Sequence, residues 1–305
     1  MELSSILLKR RLLKGLSRYE VMKKVIIVIT VIALLWTLHP FYQSYQAKQN
    51  IEERKELEAE HRERGGYKAT TVEECINEEA CVWYAFKGIA LGAEIYGDGN
   101  NLKNAGETIK KRTEDTEFLI DADLTKEQLE YLKDHLTKIN NLTQFKVSAI
   151  YQGKGDYIIY SSHDPFKDIH GYLKNELHEI YDNDYLYNKI ISTLKDREGI
   201  CFANSFFNED TSVISAGLIF LNYNFFKECT EEEITQSLGL MNDINGFQFS
   251  AFNDGAIIKM TKLDWLLFEI LYDDRIKAGM NINEVQEIFP QIYQDKLTNY
   301  GGLET

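Results

Sequence analysis

Val25 to Leu38 (VIIVITVIALLWTL) limits this chain more than any other stretch. It carries no charge and no polar group beyond two threonine hydroxyls. His39-Pro40-Phe41-Tyr42 extends it to about 18 residues, the shortest run that crosses a bilayer as a helix. Seven basic residues (Lys9, Arg10, Arg11, Lys14, Arg18, Lys23, Lys24) precede it against Glu2 and Glu20, a net of +5. Positive charge beside a span stays on the cytoplasmic side. The sequence therefore predicts a basic cytoplasmic tail at 1–24, a transmembrane signal-anchor at 25–42 with membrane lipid as its partner, and everything beyond on the far side. The core of a cleaved signal peptide has a similar length. No small-x-small cleavage site follows directly, however, no cysteine for lipid attachment occurs before Cys75, and Trp36, Phe41 and Tyr42 suit the interface. The expected location is the inner (cytoplasmic) membrane, single-pass, with the body in the periplasm or another extracytoplasmic space.

That body is strongly acidic. The whole chain carries −14, so a tail of +5 leaves −19 on the remainder. Phosphate backbones repel such a surface, which excludes nucleic acid as an expected partner. With 44% apolar residues, 27% charged residues and three prolines, the composition is that of a folded chain. About 240 residues remain beyond the linker, enough for one large domain or two small ones.

All four cysteines (Cys75, Cys81, Cys201, Cys229) follow the span, in what would be an oxidising compartment. Three pairings are open to four cysteines. Proximity favours Cys75 with Cys81 and Cys201 with Cys229, the second closing a loop worth roughly 3 to 4 kcal/mol on the chain-entropy model. Neither pair has metal-ligand spacing, and no histidine stands near either in the sequence.

Residues 43–66 (QSYQAKQNIEERKELEAEHRERGG) read as a charged juxtamembrane helix that ends at two glycines. Too few apolar positions occur there for a coiled-coil seam. A small Cys-bounded subdomain is expected at 67–104, its helix or strand character open. Thr113 to Ile120 alternates like a strand. Asp123 to Asn140 has the apolar period of a helix, with Thr125 as N-cap, Gln128 completing a capping box, and Leu129, Leu132, Leu136 and Ile139 on one face. Phe145 to Tyr151 and Asp156 to Ser162 read as strands, 166–197 as a helical insertion, and 200–208 with 213–222 as a hairpin around Glu209-Asp210. Thr261 to Asp274 is an apolar core helix with Thr261 and Asp264 as its capping pair, and 291–305 is a C-terminal tail. His178-Glu179 opens like a zinc motif, but position 182 is Asp.

Cys229 to Asp243 (CTEEEITQSLGLMND) carries the functional argument. Read locally, Thr230 caps a helix, Glu233 takes the capping-box position, and three acids meet the positive end of the helix dipole. The same spacing overlays H-E-x-x-H-x-x-G-x-x-H, in which two histidines one turn apart hold zinc and the Glu is the general base. Anchored on Gly239, Glu232 takes the first ligand position, Glu233 the base, Gln236 the second ligand and Asn242 the third, giving E-E-x-x-Q-x-x-G-x-x-N. Glu233 is the catalytic candidate should the site be active. Glu232, Gln236, Asn242 and Asp243 are the candidate cleft or ligand positions, and Asn253 and Asp254 read either as turn residues or as further oxygen donors. Amide oxygens suit calcium better than zinc, so either ion is conceivable only with an altered site.

This helix, with Phe249-Ser-Ala-Phe-Asn-Asp254 and the run from Leu263-Asp-Trp265 through Leu271-Tyr-Asp-Asp-Arg-Ile-Lys-Ala-Gly-Met280, resembles a bacterial family of unknown function, number twenty-nine twenty-seven. Its members are mostly envelope proteins or lipoproteins, and the resemblance covers roughly residues 105 to 285. It implies an α+β fold at 105–290, a zincin-like mixed sheet with packed helices, preceded here by one transmembrane helix. It also implies a degenerate peptidase-like motif, more consistent with binding or scaffolding a protein or envelope polymer than with catalysis. Two alternatives stay open: a membrane-tethered metal-dependent hydrolase with altered ligands, and a structural subunit of an envelope assembly.

Overall fold

A computed structural model describes residues 52–91, 108–163, 201–253 and 259–300. The expected tail and span at 1–42, the insertion at 166–197 with His178 and Glu179, and Asp254 lie outside the described residues. Among the described residues no helix is long and apolar enough to cross a membrane. The chain divides into two compact units, Met1–Leu57 and Glu58–Thr305. Of the first, only residues 52–57 are described, and they are helical. Everything below concerns the second.

Its centre is a five-stranded sheet in the order β2-β1-β3-β5-β4. β1 (Thr116–Asp121) alternates as expected, with Thr116, Phe118 and Ile120 turned inward. The chain crosses to β2 (Val147–Ile150) through α3 (Lys126–Leu142). That helix begins at the expected capping box, with Gln128 N–H donating to Thr125 Oγ1 at 3.2 Å and Thr125 N–H donating to Gln128 Oε1 at 2.9 Å. Leu132, Leu136 and Ile139 bury its inner face. β3 (Tyr157–Ser162) pairs with β1, not with β2, so two strands adjacent in sequence flank a third. β5 (Ile214–Asn222) runs parallel to β3, and β4 (Phe202–Phe207) closes the order antiparallel to β5. Buried on both faces, β5 has the unbroken apolar run typical of a parallel strand. Asn208 shapes the β4–β5 turn, its side-chain oxygen accepting from the N–H groups of Asp210 and Thr211 at 2.9 and 3.0 Å.

The described part of the Cys-bounded segment, 67–91, forms two helices, α1 (Val72–Ile76) and α2 (Glu79–Ala90), joined by the Cys75–Cys81 disulfide with a Cα–Cα distance of 5.2 Å, and 92–104 lie outside the described residues. Both pack into the same apolar core as the sheet and the later helices α5 (Lys262–Leu271) and α6 (Ile282–Tyr300). α5 starts at the expected capping box, where Asp264 accepts from Thr261 N–H at 2.7 Å. α6 runs past 291 to Tyr300, where the sequence predicts a tail. The helix read as a solvated spacer also enters the body. His61 is 4% exposed, with Nδ1 2.7 Å from Tyr84 Oη and Nε2 2.8 Å from the Asn245 carbonyl oxygen, so its end is fastened to α2 and to a loop beyond the motif.

The motif helix α4 (Phe226–Ser237) departs from the local reading. It begins four residues before Thr230, which therefore caps nothing. Its hydroxyl donates to Phe226 O at 2.6 Å inside the helix. Tertiary continuity sets the start: Asn222 caps a short 3-10 turn at Tyr223–Phe225, and that turn passes straight into α4. Glu231, Glu232 and Glu233 thus lie in mid-helix, beyond the first turn in which the dipole acts.

Candidate functional site

Helical spacing places Cys229, Glu232, Glu233 and Gln236 on one face of α4. The helix packs against β5, β4 and α3. Glu233 is only 5% exposed, and Glu232 and Gln236 are half-buried. Cys229 is bonded to Cys201, just ahead of β4, with Cα atoms 5.8 Å apart, which is the pairing expected from proximity. A helix end leaves carbonyls without intrahelical partners, and here three hydroxyls take them. Tyr157 Oη and Ser205 Oγ both donate to Ser237 O, at 2.8 and 3.0 Å, and Tyr272 Oη donates to Leu238 O at 2.5 Å. The Tyr157 ring reaches the helix end by crossing over Gly217, where an added Cβ would stand 2.5 Å from it.

Gly239 then turns the chain. Its φ is 135°, and a Cβ would lie 2.4 Å from the Lys110 carbonyl oxygen, so only glycine fits. Past the turn, Asn242 donates to Ile89 O from both its backbone N–H (3.2 Å) and its side-chain amide (3.1 Å). Gln236 Nε2 donates to Asp243 Oδ1 at 2.8 Å. Of the residues singled out in the sequence, Gln236 and Asp243 are thus brought together, and Asn242 is turned onto α2. Asn253 closes its own turn by donating to Ser250 O at 2.6 Å.

Three residues near the motif escaped sequence reasoning. Glu231, read only as one acid of a run, accepts from Tyr131 Oη and from Met260 N–H (2.9 Å), tying α4 to α3 and to the segment before α5. His135 on α3 is 6% exposed, 3.4 Å from Thr235 Oγ1 and with its ring 5.4 Å from that of Trp265. Burial, helped by Lys138, pushes its pKa down to about 3, so the imidazole is neutral. Lys111 is 8% exposed and donates to Leu271 O and Ile276 O at 2.9 and 2.8 Å, closing the end of α5. Burial lowers its pKa to about 8. Only helical position could have signalled the first two: one turn apart along the packed helices, Glu231 meets Tyr131 and Thr235 meets His135.

The donor chemistry does not fit zinc. Amides stand at two of the three ligand positions, and an amide oxygen is a poor zinc donor. The Asn242 amide is moreover spent on a backbone carbonyl. Among the described residues no group of three or more His, Cys, Asp or Glu side chains could hold a metal ion. The face instead offers carboxylates and one amide, groups that hydrogen-bond to N–H and O–H donors.

No curated protein matches the sequence. A family described as "Protein of unknown function (DUF2927)" matches residues 72–291, a range that takes in α1, α2, the whole sheet and the motif helix. The chain belongs to the DUF2927 family.

Proposed function

We propose that this protein is a membrane-anchored, extracytoplasmic binding protein. Its body has a zincin-like layout and holds a protein or an envelope polymer, without cleaving it, at the α4 face carrying Glu232, Glu233 and Gln236. One observation carries the reading. The turn at Gly239 keeps its demanding geometry while the ligand positions on either side of it carry amides, with Gln236 hydrogen-bonded to Asp243 and Asn242 to Ile89. Support for the layout comes from element order: strand, helix, two strands, an antiparallel edge strand, a last parallel strand, then the motif helix. The anchor and topology rest on the apolar run at 25–42 beside a basic tail and on the confinement of every cysteine to the other side.

The test is metal analysis of the purified protein together with peptide-library cleavage. The expected result is no cleavage that a chelator abolishes. Stoichiometric zinc with chelator-sensitive cleavage, lost in Glu233→Gln, would overturn the reading and establish the hydrolase. Reporter fusions after residue 65 that report cytoplasm would remove the topology. Mild detergent extraction identifies the partner, and Gln236→Ala is expected to weaken its co-purification.

A further inference from the structure

We propose that Cys201–Cys229 is an exchange-competent disulfide, opened by a protein dithiol, and that its reduction frees the start of β4 from the motif helix. The inference is independent of what the α4 face binds.

The two bridges differ in what can reach them. Cys75 and Cys81 are both 0% exposed, enclosed in the core between α1 and α2. Cys229 is also buried, but Cys201 is only partly so, on the stretch that leads into β4. Thiol–disulfide exchange needs an in-line approach of a thiolate to one sulfur. Of the four cysteines only Cys201 is not fully buried, so this bridge, through Cys201, is the one a thiolate reaches with least opening of the core.

The chemistry balances as a two-electron exchange. A thiolate of the dithiol attacks Cys201 Sγ, the Sγ–Sγ bond breaks, and Cys229 leaves as thiolate and takes a proton from solvent. Its position at the start of α4, four residues past Phe225, favours that leaving group through the helix dipole. Glu228 and Glu232 beside it act in the opposite sense. The second thiol of the dithiol then attacks its own sulfur in the mixed disulfide and releases Cys201 as a thiol. The bridge is reduced and the dithiol becomes a disulfide.

Geometry assigns the consequence. β4 is held to α4 by the bridge just ahead of Phe202 and, midway along the strand, by Ser205 Oγ donating to Ser237 O at 3.0 Å. Opening the bridge removes the first tie and keeps the second, along with the antiparallel pairing to β5. The freed end lies beside the α4 face shared by Cys229, Glu232, Glu233 and Gln236, so the redox state governs how closely the strand flanks that face.

The test uses the full chain in mild detergent, without denaturant, exposed to graded dithiothreitol, then alkylated and mapped by peptide mass. Cys201 and Cys229 are expected to react at reductant concentrations about tenfold or more below those that open Cys75 and Cys81. On reduction, amide exchange across Phe202–Phe207 is expected to rise about tenfold while β1 and β3 stay unchanged. Opening of Cys75–Cys81 first, opening of both pairs only on unfolding, or unchanged exchange in β4 would each overturn the proposal. The Cys201→Ala/Cys229→Ala variant should show the fast β4 exchange without reductant. Should it fail to fold, labelling of the native protein still decides.

Discussion

His135 should give this protein an acid limb that can be switched off. The imidazole lies between α3 and α4, 6% exposed against Trp265, and burial holds its pKa at about 3 against 6.5 in an unfolded chain. Below pH 6.5 the unfolded state therefore binds a proton that the folded state refuses, and stability falls as pH falls. At about 1.4 kcal/mol per unit, the loss is roughly 2 kcal/mol between pH 6.5 and pH 5, and roughly 5 kcal/mol by the pH at which the folded state titrates. His61, also lowered by burial, adds a slope of the same sign, while Asp264, raised by burial, acts oppositely at lower pH. The difference between wild type and variants isolates His135. Urea denaturation followed by tryptophan fluorescence, at several pH values between about 7 and 5, should show His135→Gln and His135→Phe less stable at neutrality. Both should nevertheless lose about 2 kcal/mol less than wild type on acidification. Parallel curves for all three proteins would refute the argument that this histidine is held neutral by burial.

Two further outcomes follow from the same region. Gly239→Ala forces a Cβ within 2.4 Å of Lys110 O at a φ of 135°, and should cost about 3 kcal/mol or more, lowering Tm by roughly 6 to 12 °C in a body of this size; a drop under about 2 °C would mean that the turn relaxes freely. Lys111 has a folded pKa lowered to about 8, so the unfolded state holds its proton to higher pH and stability should rise with pH above 8. Chemical denaturation between about pH 8 and pH 9.5 should show wild type gaining roughly 2 kcal/mol relative to Lys111→Met, a difference in which the tyrosines common to both proteins cancel.

What could be read from the sequence was whatever is written locally. The Thr125–Gln128 and Thr261–Asp264 boxes name their helices because a side chain and a backbone N–H three residues apart settle the start between themselves. The alternation of β1 and the turn around Glu209-Asp210 between β4 and β5 are equally local. Strand order was not legible: β2 and β3 follow one another yet both pair with β1, a partner chosen by burial of faces rather than by neighbouring residues. The start of α4 misled for a related reason. Thr230 has the residue types of a cap behind it, but the chain enters the helix from the β5 end, and continuity through Tyr223–Phe225 overrides the local preference. The roles of Glu231, His135 and Lys111 depend on partners about 30 to 165 residues away, beyond any pattern in one sequence window.

That displaced helix start changes the weight of the explanations for the acidic run. Capping and dipole stabilisation would account for Glu231 to Glu233 without any site, provided that they stood in the first turn. They stand in mid-helix, where neither effect operates. Glu231 is accounted for by Tyr131 and Met260. Glu233 is a carboxylate 5% exposed in the middle of the helix, a position that neither capping nor the dipole explains. The surrounding construction points the same way: Tyr157, Ser205 and Tyr272 close the helix end, and a glycine that tolerates no substitute turns the chain beyond it. Closing a helix requires none of that specificity, since a single glycine with solvent suffices. Holding the Glu233 face in fixed register with β4 and with the Gln236–Asp243 pair does require it. A face so held carries carboxylates and an amide where the overlaid motif has imidazoles, and the binding role proposed above rests on that exchange.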